Sequence, residues 1–349
     1  AFTGSVVQIK STTNGRGDEF AGQDGLYTVA VRGVEGGQLV QHYELNTVLN
    51  RTLNANHQWE EVLQLARQPE FDIIISNTTE AGIVLEAEDK ITDAPPPSFP
   101  AKLLALLYER YHSLGKENAP GFIIVPTELI SNNGDELKKV VLQLARLNEC
   151  SDDFIQWLTS ANRFCNSLVD RIVTGKPAPQ KMTEHWEVLG YEDELLIECE
   201  PYLLWAIEGD EAVQQRLSFA QEGNGVVVAH SIEKFKELKL RLLNGVHSFI
   251  CGKAFLEGFE FVKDAMADEQ MRRTISHLLL EEIAPTLSYD KNEVMRFAQS
   301  VLERFANPFI EHRWQAITLN YTQKMATRNI ATLQRWYATN HQPPMRMAE

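Results

Sequence analysis

Short apolar runs alternate with helical patterns in the first half of the chain, and this alternation limits the possible folds more than any other feature. Residues 71–76 and 121–126 are apolar runs bounded by turn residues, as in strands buried in a parallel sheet. Residues 99–111 and 135–147 show helical spacing of apolar side chains. Strands that alternate with helices predict a parallel, doubly wound sheet. Three further segments extend the pattern, namely a strand at 5–10, a turn leading into a strand at 23–31 and a helix at 59–67.

The pattern changes in the second half of the chain. From about Ser151 onward helical patterns dominate, and Ser151 itself is a cap residue followed by acidic side chains. One more strand candidate lies at 225–229, and everything after it is typical of helices joined by short turns. We therefore predict an α/β, Rossmann-like domain at residues 1–229 and an all-α domain at residues 230–349.

The composition excludes several classes of protein. The 349 residues carry 33 Lys+Arg against 48 Asp+Glu, a formal net charge of −15, which argues against nucleic acid or an anionic membrane as partner. No apolar run is long enough to span a bilayer, and no signal peptide is visible. The four cysteines are widely spaced and form no zinc motif. We expect a cytoplasmic, enzyme-sized protein without a metal site.

One helical stretch, residues 235–249, carries three polar side chains that could take part in catalysis. Lys239, Asn244 and His247 have the spacing K-x4-N-x2-H, and at about 100° per residue they cover an arc of roughly 140° on an α-helix. A small substrate lying across that arc could contact a base, an amide and an imidazole. By spacing alone, an amphipathic helix with an exposed lysine and a stray histidine is the commoner interpretation.

The wider sequence resembles one enzyme family. Residues 239–247 (K-L-R-L-L-N-G-V-H) resemble the catalytic helix of the mannitol dehydrogenase family, the polyol-specific long-chain dehydrogenases. Four more segments carry the resemblance along nearly the whole chain, namely 23–28 (Q-D-G-L-Y-T), 76–83 (S-N-T-T-E-A-G-I), 93–103 (with D-A-P-P and F-P-A-K-L) and 169–175 (V-D-R-I-V-T-G). Two of them, 76–83 and 93–103, are most similar to the branch of the family that acts on sugar acids. Together the segments favour the catalytic interpretation.

The resemblance implies a fold, a reaction and a cofactor. The fold is a Rossmann-like domain followed by a helical domain like the C-terminal domain of 6-phosphogluconate dehydrogenase. The reaction is metal-free, NAD-dependent oxidoreduction of a sugar acid. The phosphate-binding turn G-x-G-x-x-G is absent, because the G-R-G at 15–17 lacks the third glycine and does not join a strand to a helix. In the family that turn lies upstream of the strand at 5–10, so we expect the first βα unit, and a stretch after Glu349, to be missing from this sequence.

The resemblance also implies catalytic roles. Hydride transfer between an alcohol and nicotinamide needs a base for the hydroxyl proton, and a lysine can serve if burial or a neighbouring cation lowers its pKa. Lys239 holds the position that the family uses for this base. Asn244 offers an amide N–H to the developing alkoxide, and His247 orients a substrate hydroxyl by donating or accepting a hydrogen bond. Asp170 takes part in a proton path or holds Lys239 or Arg171, and an ordinary Asp–Arg pair explains it equally well.

Cofactor contacts are expected where parallel strands end, because ligands bind at the carboxyl ends of such strands. The predicted cofactor-binding residues are Lys10, Asp24, Asn77, Thr78, Thr79 and Glu80. Lys10 ends the strand that meets the adenosine ribose in two-domain dehydrogenases. A lysine rather than an acidic residue there leaves NADP open, whereas the resemblance implies NAD.

A sugar-acid substrate needs a cation or a backbone nest for its carboxylate. Lys324 and Arg313, with neighbouring His312, are the candidates in the helical domain, and solvated helix surface is the alternative, more so for Arg313. Asn133 keeps the N-G pair of the family and is a further substrate-binding candidate. Leu129 stands where mannitol dehydrogenases have an asparagine that holds the substrate oxygen, which argues against a simple mannitol substrate.

Two alternatives remain open. Inside the family, the chain could be a fructuronate reductase or a mannitol or mannitol-phosphate dehydrogenase. Outside it, a non-catalytic helical binding module would explain the absence of the phosphate-binding turn. On either family interpretation the partner is a small molecule, and neither nucleic acid nor a membrane is expected.

Overall fold

A computed structural model describes residues 6–10, 20, 22–221 and 223–348. The first residue of the strand expected at 5–10 and the G-R-G segment at 15–17 lie outside the described residues. The strands of the α/β part are β1 (Val6–Lys10), β2 (Tyr27–Glu35), β3 (Gln38–Asn46), β4 (Leu49–Asn54), β5 (Ile73–Ser76), β6 (Ile123–Pro126), β7 (Arg163–Phe164), β8 (Ser167–Asp170), β9 (Val173–Gly175), β10 (Ile197–Cys199), β11 (Leu204–Glu208) and β12 (Val226–Ala229). Its helices are α1 (Trp59–Ala66), α2 (Phe99–Ser113), α3 (Asn133–Leu147), α4 (Asp152–Ala161), α5 (Pro179–Leu189) and α6 (Glu211–Arg216), with 3₁₀ turns at Glu80–Gly82 and Lys116–Asn118.

Parallel pairing holds the centre of the α/β part. β5, β6 and β7 form one parallel sheet, and β1 pairs with β4 in another. Helices α2, α3 and α4 bury their apolar faces against the first of these sheets around Ile124. The hydroxyls of Ser98 and Ser151 cap α2 and α4 by accepting the backbone N–H three residues on. This arrangement confirms the predicted Rossmann-like class.

The antiparallel pair of β2 and β3 goes beyond the sequence prediction, which places a turn leading into a strand at 23–31 and no strand at the position of β3. Both central residues of the turn before β2, Asp24 and Gly25, have positive φ, at 51° and 76°, and Leu26 N–H donates to Gln23 O, as in a type I′ turn. β3 is half-buried or exposed along its whole length. It therefore lacks the alternation of apolar and polar residues by which a strand is recognised.

The segment between Ser151 and Ala229 also departs from the prediction that helices dominate there. It contains six strands, β7 to β12, each of two to five residues. Such short strands leave no measurable alternation in the sequence. β11 pairs antiparallel with β8 and parallel with β12, and this pairing brings Asp170, the last residue of β8, to the side of the helical domain.

The helical part begins at Glu233. Its helices are α7 (Glu233–Leu238), α8 (Val246–Leu256), α9 (Val262–Ala267), α10 (Glu269–His277), α11 (Lys291–Phe305), α12 (Trp314–Thr318), α13 (Tyr321–Arg328), α14 (Ile330–Asn340) and α15 (Met345–Ala348), with π-helical segments at Lys239–Gly245 and Leu278–Ile283 and a 3₁₀ turn at Ala284–Thr286. They share one apolar core, in which Trp314 is completely buried. Within the described ranges, no helix is long and apolar enough to cross a membrane.

Helix α11 attaches this part to the α/β part. The Glu303 carboxylate accepts hydrogen bonds from the backbone N–H groups of Gly36 and Gly37 in the β2–β3 turn, at 3.3 and 3.1 Å. Just beyond the helix, the Asn307 amide donates to the carbonyl of Arg32 in β2, at 3.1 Å. These contacts fix the side of α11 that carries Arg304 against the ends of β8 and β10.

The helix predicted at 235–249 is present but irregular. Between α7 and α8 the backbone is π-helical from Lys239 to Gly245. In a π-helix, residues five positions apart are hydrogen-bonded neighbours along the axis. Lys239 and Asn244 are therefore stacked one turn apart, closer together than the arc of an α-helix implies. π-Helical turns of this kind are frequent at functional sites.

Candidate active site

A buried ion cluster joins the two domains. The Arg304 guanidinium donates two hydrogen bonds to the Asp170 carboxylate, at 2.9 and 3.0 Å, and two to the Glu200 carboxylate, at 2.8 and 3.0 Å. All three side chains are at most 5% exposed. The guanidinium also lies 4.3 Å from the ring centroid of Tyr202. Four of the five N–H donors of the guanidinium are thus used, which makes Arg304 a rigid anchor for both carboxylates.

Burial and charge act in opposite directions on this cluster. Burial alone would lower the pKa of Arg304, but the hydrogen bonds and charges of Asp170 and Glu200 raise it well above its ordinary value. Burial raises the pKa of Glu200, and the Arg304 charge only partly offsets this. The cluster therefore depends on Arg304 to offset the cost of burying the Glu200 carboxylate.

Lys239 extends the cluster towards solvent. Its Nζ donates to the carbonyl of Val169 at 3.0 Å and lies 3.4 Å from Asp170 Oδ1. The side chain is 18% exposed. One ammonium N–H bond donates to Val169 O, the Asp170 carboxylate lies within ion-pair distance, and among the described residues no other group accepts from Lys239. An exposed, oriented N–H bond is what a proton donor to a bound substrate needs.

His247 lies on the other side of Arg304. Its imidazole stacks on Phe305 at 4.1 Å between ring centroids and meets His312 edge-on at 5.0 Å. Both histidines and Arg304 line a small cavity of about 20 Å³, enough for one water molecule. Burial lowers the pKa of His247 well below its ordinary value, and nearby positive charges, Lys324 among them, lower it further. His247 is therefore a neutral imidazole at pH 7.

Helix α13 brings further positive charge to His247. Arg241, in the π-helical segment, donates to the carbonyls of Thr327 and Arg328 at the end of α13, at 3.1 and 2.5 Å, which caps that helix. The Arg328 guanidinium in turn donates to Ser248 Oγ at 3.1 Å. Lys324, on the same helix, donates to the carbonyl of Ile317 at 2.8 Å. This docking fixes the two cations of α13 beside the catalytic helix.

Comparison with known proteins gives this geometry a family. The model of the mannitol dehydrogenase Rossmann domain matches residues 5–221, and that of the mannitol dehydrogenase C-terminal domain matches residues 231–347. The chain belongs to the mannitol dehydrogenase family. An altronate oxidoreductase of Halalkalibacterium halodurans is 42% identical over 98% of this chain and 67% of its own length. One of Bacillus subtilis is 37% identical over 99% of this chain and 72% of its own length.

Solved structures support the fold. A D-sorbitol dehydrogenase in substrate-free form superposes with a TM-score of 0.84, covering 99% of this chain and 72% of its own. The mannitol 2-dehydrogenase of Pseudomonas fluorescens, solved as a ternary complex with NAD and D-mannitol, superposes with a TM-score of 0.72 over 99% of this chain and 70% of its own. Both are 20% identical to this chain, so the likeness is one of fold.

In this mannitol dehydrogenase family member, the predicted catalytic residues lie at and around the Arg304 ion cluster. Asp170 contacts Lys239 directly and is linked through Arg304 to the cavity that His247 lines. Asn244 lies one π-helical turn beyond Lys239, and no described residue forms a hydrogen bond with its half-buried side-chain amide. That amide is therefore available to a ligand. The structure brings all four residues together, and their catalytic roles stay predictions.

The predicted cofactor loop after β5 is braced by an acidic residue. The buried Glu128 carboxylate accepts hydrogen bonds from Ser76 Oγ at 3.0 Å and from the backbone N–H and hydroxyl of Thr78, at 2.9 and 2.8 Å. The Thr78 hydroxyl is thereby occupied, whereas Asn77 and Thr79 are exposed. The side chain of Glu80 lies outside the described part of the chain. Sequence analysis assigns no role to Glu128 and misses this bracing contact.

The predicted substrate contact of Asn133 is not supported. Its amide nitrogen donates to the carbonyls of Pro126, Glu128 and Ser167 at 3.0 to 3.1 Å. Its amide oxygen accepts the backbone N–H groups of Gly134 and Ser167, at 3.0 and 2.8 Å. Every polar atom of the side chain is engaged with the backbone, which leaves none for a substrate. Asn133 ties the start of α3 to the ends of β6 and β8.

Three other predicted residues lie away from the cluster. Arg313 forms an ion pair with Glu260 on the surface, and its side chain is 55% exposed, so the prediction that it binds substrate is not supported. Asp24 is exposed in the turn before β2, where it occupies a central position with positive φ. Lys10 ends β1 with its ammonium 4.7 Å from the ring centroid of Phe20. The roles of Asp24 and Lys10 towards the cofactor stay predictions.

Two partners in the cluster, Arg304 and Glu200, escape sequence analysis. Arg304 follows Val301 by three residues, and Val301 belongs to the buried stripe of α11. A charged residue on an apolar stripe is a signal that could have marked a buried cation. Glu200 gives no such signal, because it follows a strand of only three residues.

The depressed pKa of His247 predicts acid sensitivity. Above its ordinary pKa of 6.5, the imidazole is neutral in both folded and unfolded chains. Below it the unfolded chain binds a proton that the folded chain does not. The free energy of unfolding should therefore decrease as the pH is lowered, by up to about 1.4 kcal/mol per pH unit for this group. Burial and Lys324 lower the pKa of His312 as well, which adds in the same direction.

Urea unfolding at pH 7.5, 6.5 and 5.5 measures this dependence. His247→Gln should reduce the change in the free energy of unfolding between pH 6.5 and 5.5. His42→Gln, at an exposed position in β3, should leave that change as it is. An unchanged slope in the His247 variant would contradict the argument.

Proposed function

We propose that this chain carries the site for the reversible, NAD-dependent reduction of tagaturonate to altronate. Relatives at 42% and 37% identity over almost the whole chain, both altronate oxidoreductases, support the substrate class. The observation that carries the reaction is the partly exposed Lys239 ammonium, which donates to Val169 O and forms an ion pair with Asp170.

The residues after β5 fit the nicotinamide end of NAD. They follow the carboxyl end of a parallel strand, where ligands of such sheets bind. Asn77 and Thr79 are exposed there, and Glu128 holds the loop rigid through Thr78. When bound, the nicotinamide exchanges a hydride with the carbon that bears the reacting oxygen.

Lys239 moves the proton of this reaction. In the reducing direction its ammonium protonates the oxygen of the former ketone, and in the oxidising direction the neutral amine takes the proton back from the hydroxyl. Asp170 stays bound to Arg304 throughout, so it orients Lys239 without leaving the cluster. The Asn244 amide, one turn away, donates to the same oxygen as its negative charge develops.

The carboxylate of the substrate binds at the cationic side of the cleft. Lys324 and Arg328 of α13 both lower the pKa of His247 through their positive charges, and Lys324 does the same to His312. These side chains thus create a local positive field in a protein with a net charge of −15. An anionic substrate needs such a field, and a neutral polyol does not.

Replacing Lys324 with methionine is expected to narrow the preference for sugar acids. A charge-assisted contact contributes roughly 1.5–3 kcal/mol, or about ten- to a hundredfold in binding. We expect the KM for tagaturonate to rise by that factor and the KM for fructose to stay nearly constant. Arg313→Ala, which removes a nearby surface cation paired with Glu260, is the matched control and should change neither value. Equal losses for both substrates in the Lys324 variant would contradict a carboxylate contact.

A substrate panel tests the function itself. NADH oxidation by the complete enzyme is measured with tagaturonate, fructuronate, fructose and fructose 6-phosphate, and we expect kcat/KM for tagaturonate to exceed that for fructose at least about tenfold. If fructose or its phosphate is the best substrate, the sugar-acid proposal is wrong. If only fructuronate reacts, the error concerns one stereocentre.

A further inference from the structure

The π-helical segment at Lys239–Gly245 lies within one continuous run of helix from α7 to α8. A π-helical turn holds about one residue more than an α-helical turn, because its hydrogen bonds close five residues apart instead of four. The position of such a turn can shift along a helix, since each shift exchanges one backbone hydrogen bond for another. A shift would separate Lys239 from Asn244, so their stacking requires contacts that hold the segment in place.

The junction of α13 and α14, formed by Arg328 and Asn329, provides such contacts. Asn329 is completely buried, and its Nδ2 donates to the carbonyl of Gly245, the last residue of the π-helical segment, at 3.3 Å. Arg241, within the segment, donates in the opposite direction to the carbonyl of Arg328, at 2.5 Å. The segment and the junction are therefore tied together by hydrogen bonds in both directions.

A third link reaches Asn244 itself. The Arg328 guanidinium donates to Ser248 Oγ at 3.1 Å, and the Ser248 hydroxyl donates to the carbonyl of Asn244 at 3.0 Å. Ser248 is completely buried. The carbonyls of the last two residues of the π-helical segment thus both accept side-chain hydrogen bonds, one from Ser248 and one from Asn329.

The environment of Asn329 shows that stability alone does not explain this residue. Its Nδ2 donates to Met325 Sδ as well as to Gly245, but among the described residues no donor reaches its buried Oδ1. A buried acceptor without a partner costs stability. A Cβ atom on Gly245 would lie 3.2 Å from that oxygen, so the close approach of the two residues depends on the glycine.

We propose that Asn329 is a positioning residue, which fixes the π-helical segment and thereby keeps Lys239 and Asn244 one turn apart. The inference rests on the proposed function, because Asn329 acts on the reaction only through these two residues. It is completely buried and has no exposed atom for a substrate. Its amide holds the backbone from which Asn244 projects, and the Asn244 side chain donates to the reacting oxygen.

Asn329→Leu in the complete enzyme tests this role. Leucine has nearly the shape of asparagine, and it removes both the donor to Gly245 and the unpaired oxygen. We expect kcat to fall about ten- to a hundredfold, because misplacement of a reacting group by 1 Å can cost about a hundredfold in rate. The KM of the substrate, the affinity for NADH and the midpoint of urea unfolding should stay nearly unchanged.

Asn162→Leu is the matched control. Asn162 is also a buried asparagine, but it lies in the α/β part, where it accepts from the Phe122 N–H at 2.8 Å and donates to the carbonyl of Leu158 at 3.2 Å. This variant should lower the midpoint of urea unfolding and keep its kcat. If Asn329→Leu also loses stability and keeps its kcat, Asn329 has only a structural role and the proposal is wrong.

The rates are measured with whichever substrate the unaltered enzyme reduces fastest, so an error about tagaturonate does not affect the test. Near-normal kcat in Lys239→Ala would contradict the proposed function. Near-normal kcat in Asn329→Leu, with Lys239→Ala impaired, would contradict only the present proposal. A crystal structure of the Asn329 variant should show the π-helical turn moved along the helix, and an unmoved turn would overturn the proposal.

Gly245→Ala approaches the same contact from the other side and decides the question if Asn329→Leu does not fold. The added methyl group would lie 3.2 Å from Asn329 Oδ1 and push the two residues apart. Alanine favours helix more than glycine does, so the variant should fold. We expect kcat to fall severalfold with unchanged affinity for NADH, and an unchanged kcat would contradict the proposal.

Discussion

Lys239→Ala is expected to lower kcat by ~10²- to 10⁴-fold, the usual contribution of a general acid or base. The fold should survive, because Asp170 keeps both of its hydrogen bonds from Arg304 when the lysine is removed. NADH binding should also be nearly unchanged, since the predicted cofactor loop is held by Glu128 and the described part of it forms no hydrogen bond or ion pair with Lys239. Stopped-flow hydride transfer and NADH titration of the complete enzyme measure the two quantities separately.

Chemical rescue separates a lost proton donor from a lost contact. A small primary amine in solution should restore part of the activity of Lys239→Ala, where it can occupy the vacated space. It should not rescue Lys239→Met, in which the methionine fills that space. Lys234→Ala, which removes a lysine of α7 paired with Glu293, should behave as the unaltered enzyme. Near-normal kcat in the alanine variant would exclude Lys239 as the acid/base.

Arg304→Met is expected to lower the free energy of unfolding by about 3–5 kcal/mol, as happens when one partner of a buried ion pair is removed. The change leaves Asp170 and Glu200 buried without their cation. Arg296→Met removes an exposed arginine from the same helix and should change stability by no more than about 0.5 kcal/mol. Chemical unfolding of both variants at pH 7 measures the difference.

The loss caused by Arg304→Met should depend on pH in a defined direction. Burial already raises the pKa of Glu200 above its ordinary value of 4.5, and without Arg304 the pKa rises further. A group with a raised folded-state pKa is tolerated below its unfolded pKa and destabilises the fold as pH rises through the folded-state pKa. The deficit relative to the unaltered enzyme should therefore be smallest near pH 4.5 and grow towards pH 7. A deficit independent of pH would mean that packing, and not charge, explains the loss.

Local patterns in the sequence were sufficient for the class of fold and for the helix that carries Lys239, Asn244 and His247. Strands β5 and β6 and helices α2 and α3 were predicted correctly because each is encoded by a pattern of residues that are close together in the sequence. Caps such as Ser98 and Ser151 act within a few residues and were therefore readable. The spacing of Lys239, Asn244 and His247 was likewise a property of one continuous helix.

Contacts between distant segments decided the rest. β3 and the short strands from β7 to β11 exist because partners elsewhere in the chain complete their hydrogen bonds, which no local pattern records. Arg304 meets Asp170 and Glu200 across more than a hundred residues of sequence. Tertiary contacts also determine that the Asn133 side chain is hydrogen-bonded to the backbone and that Arg313 lies on the surface. The sequence specifies which hydrogen-bond donors and acceptors a side chain has. The tertiary structure decides which of them are paired within the protein and which remain available to a ligand.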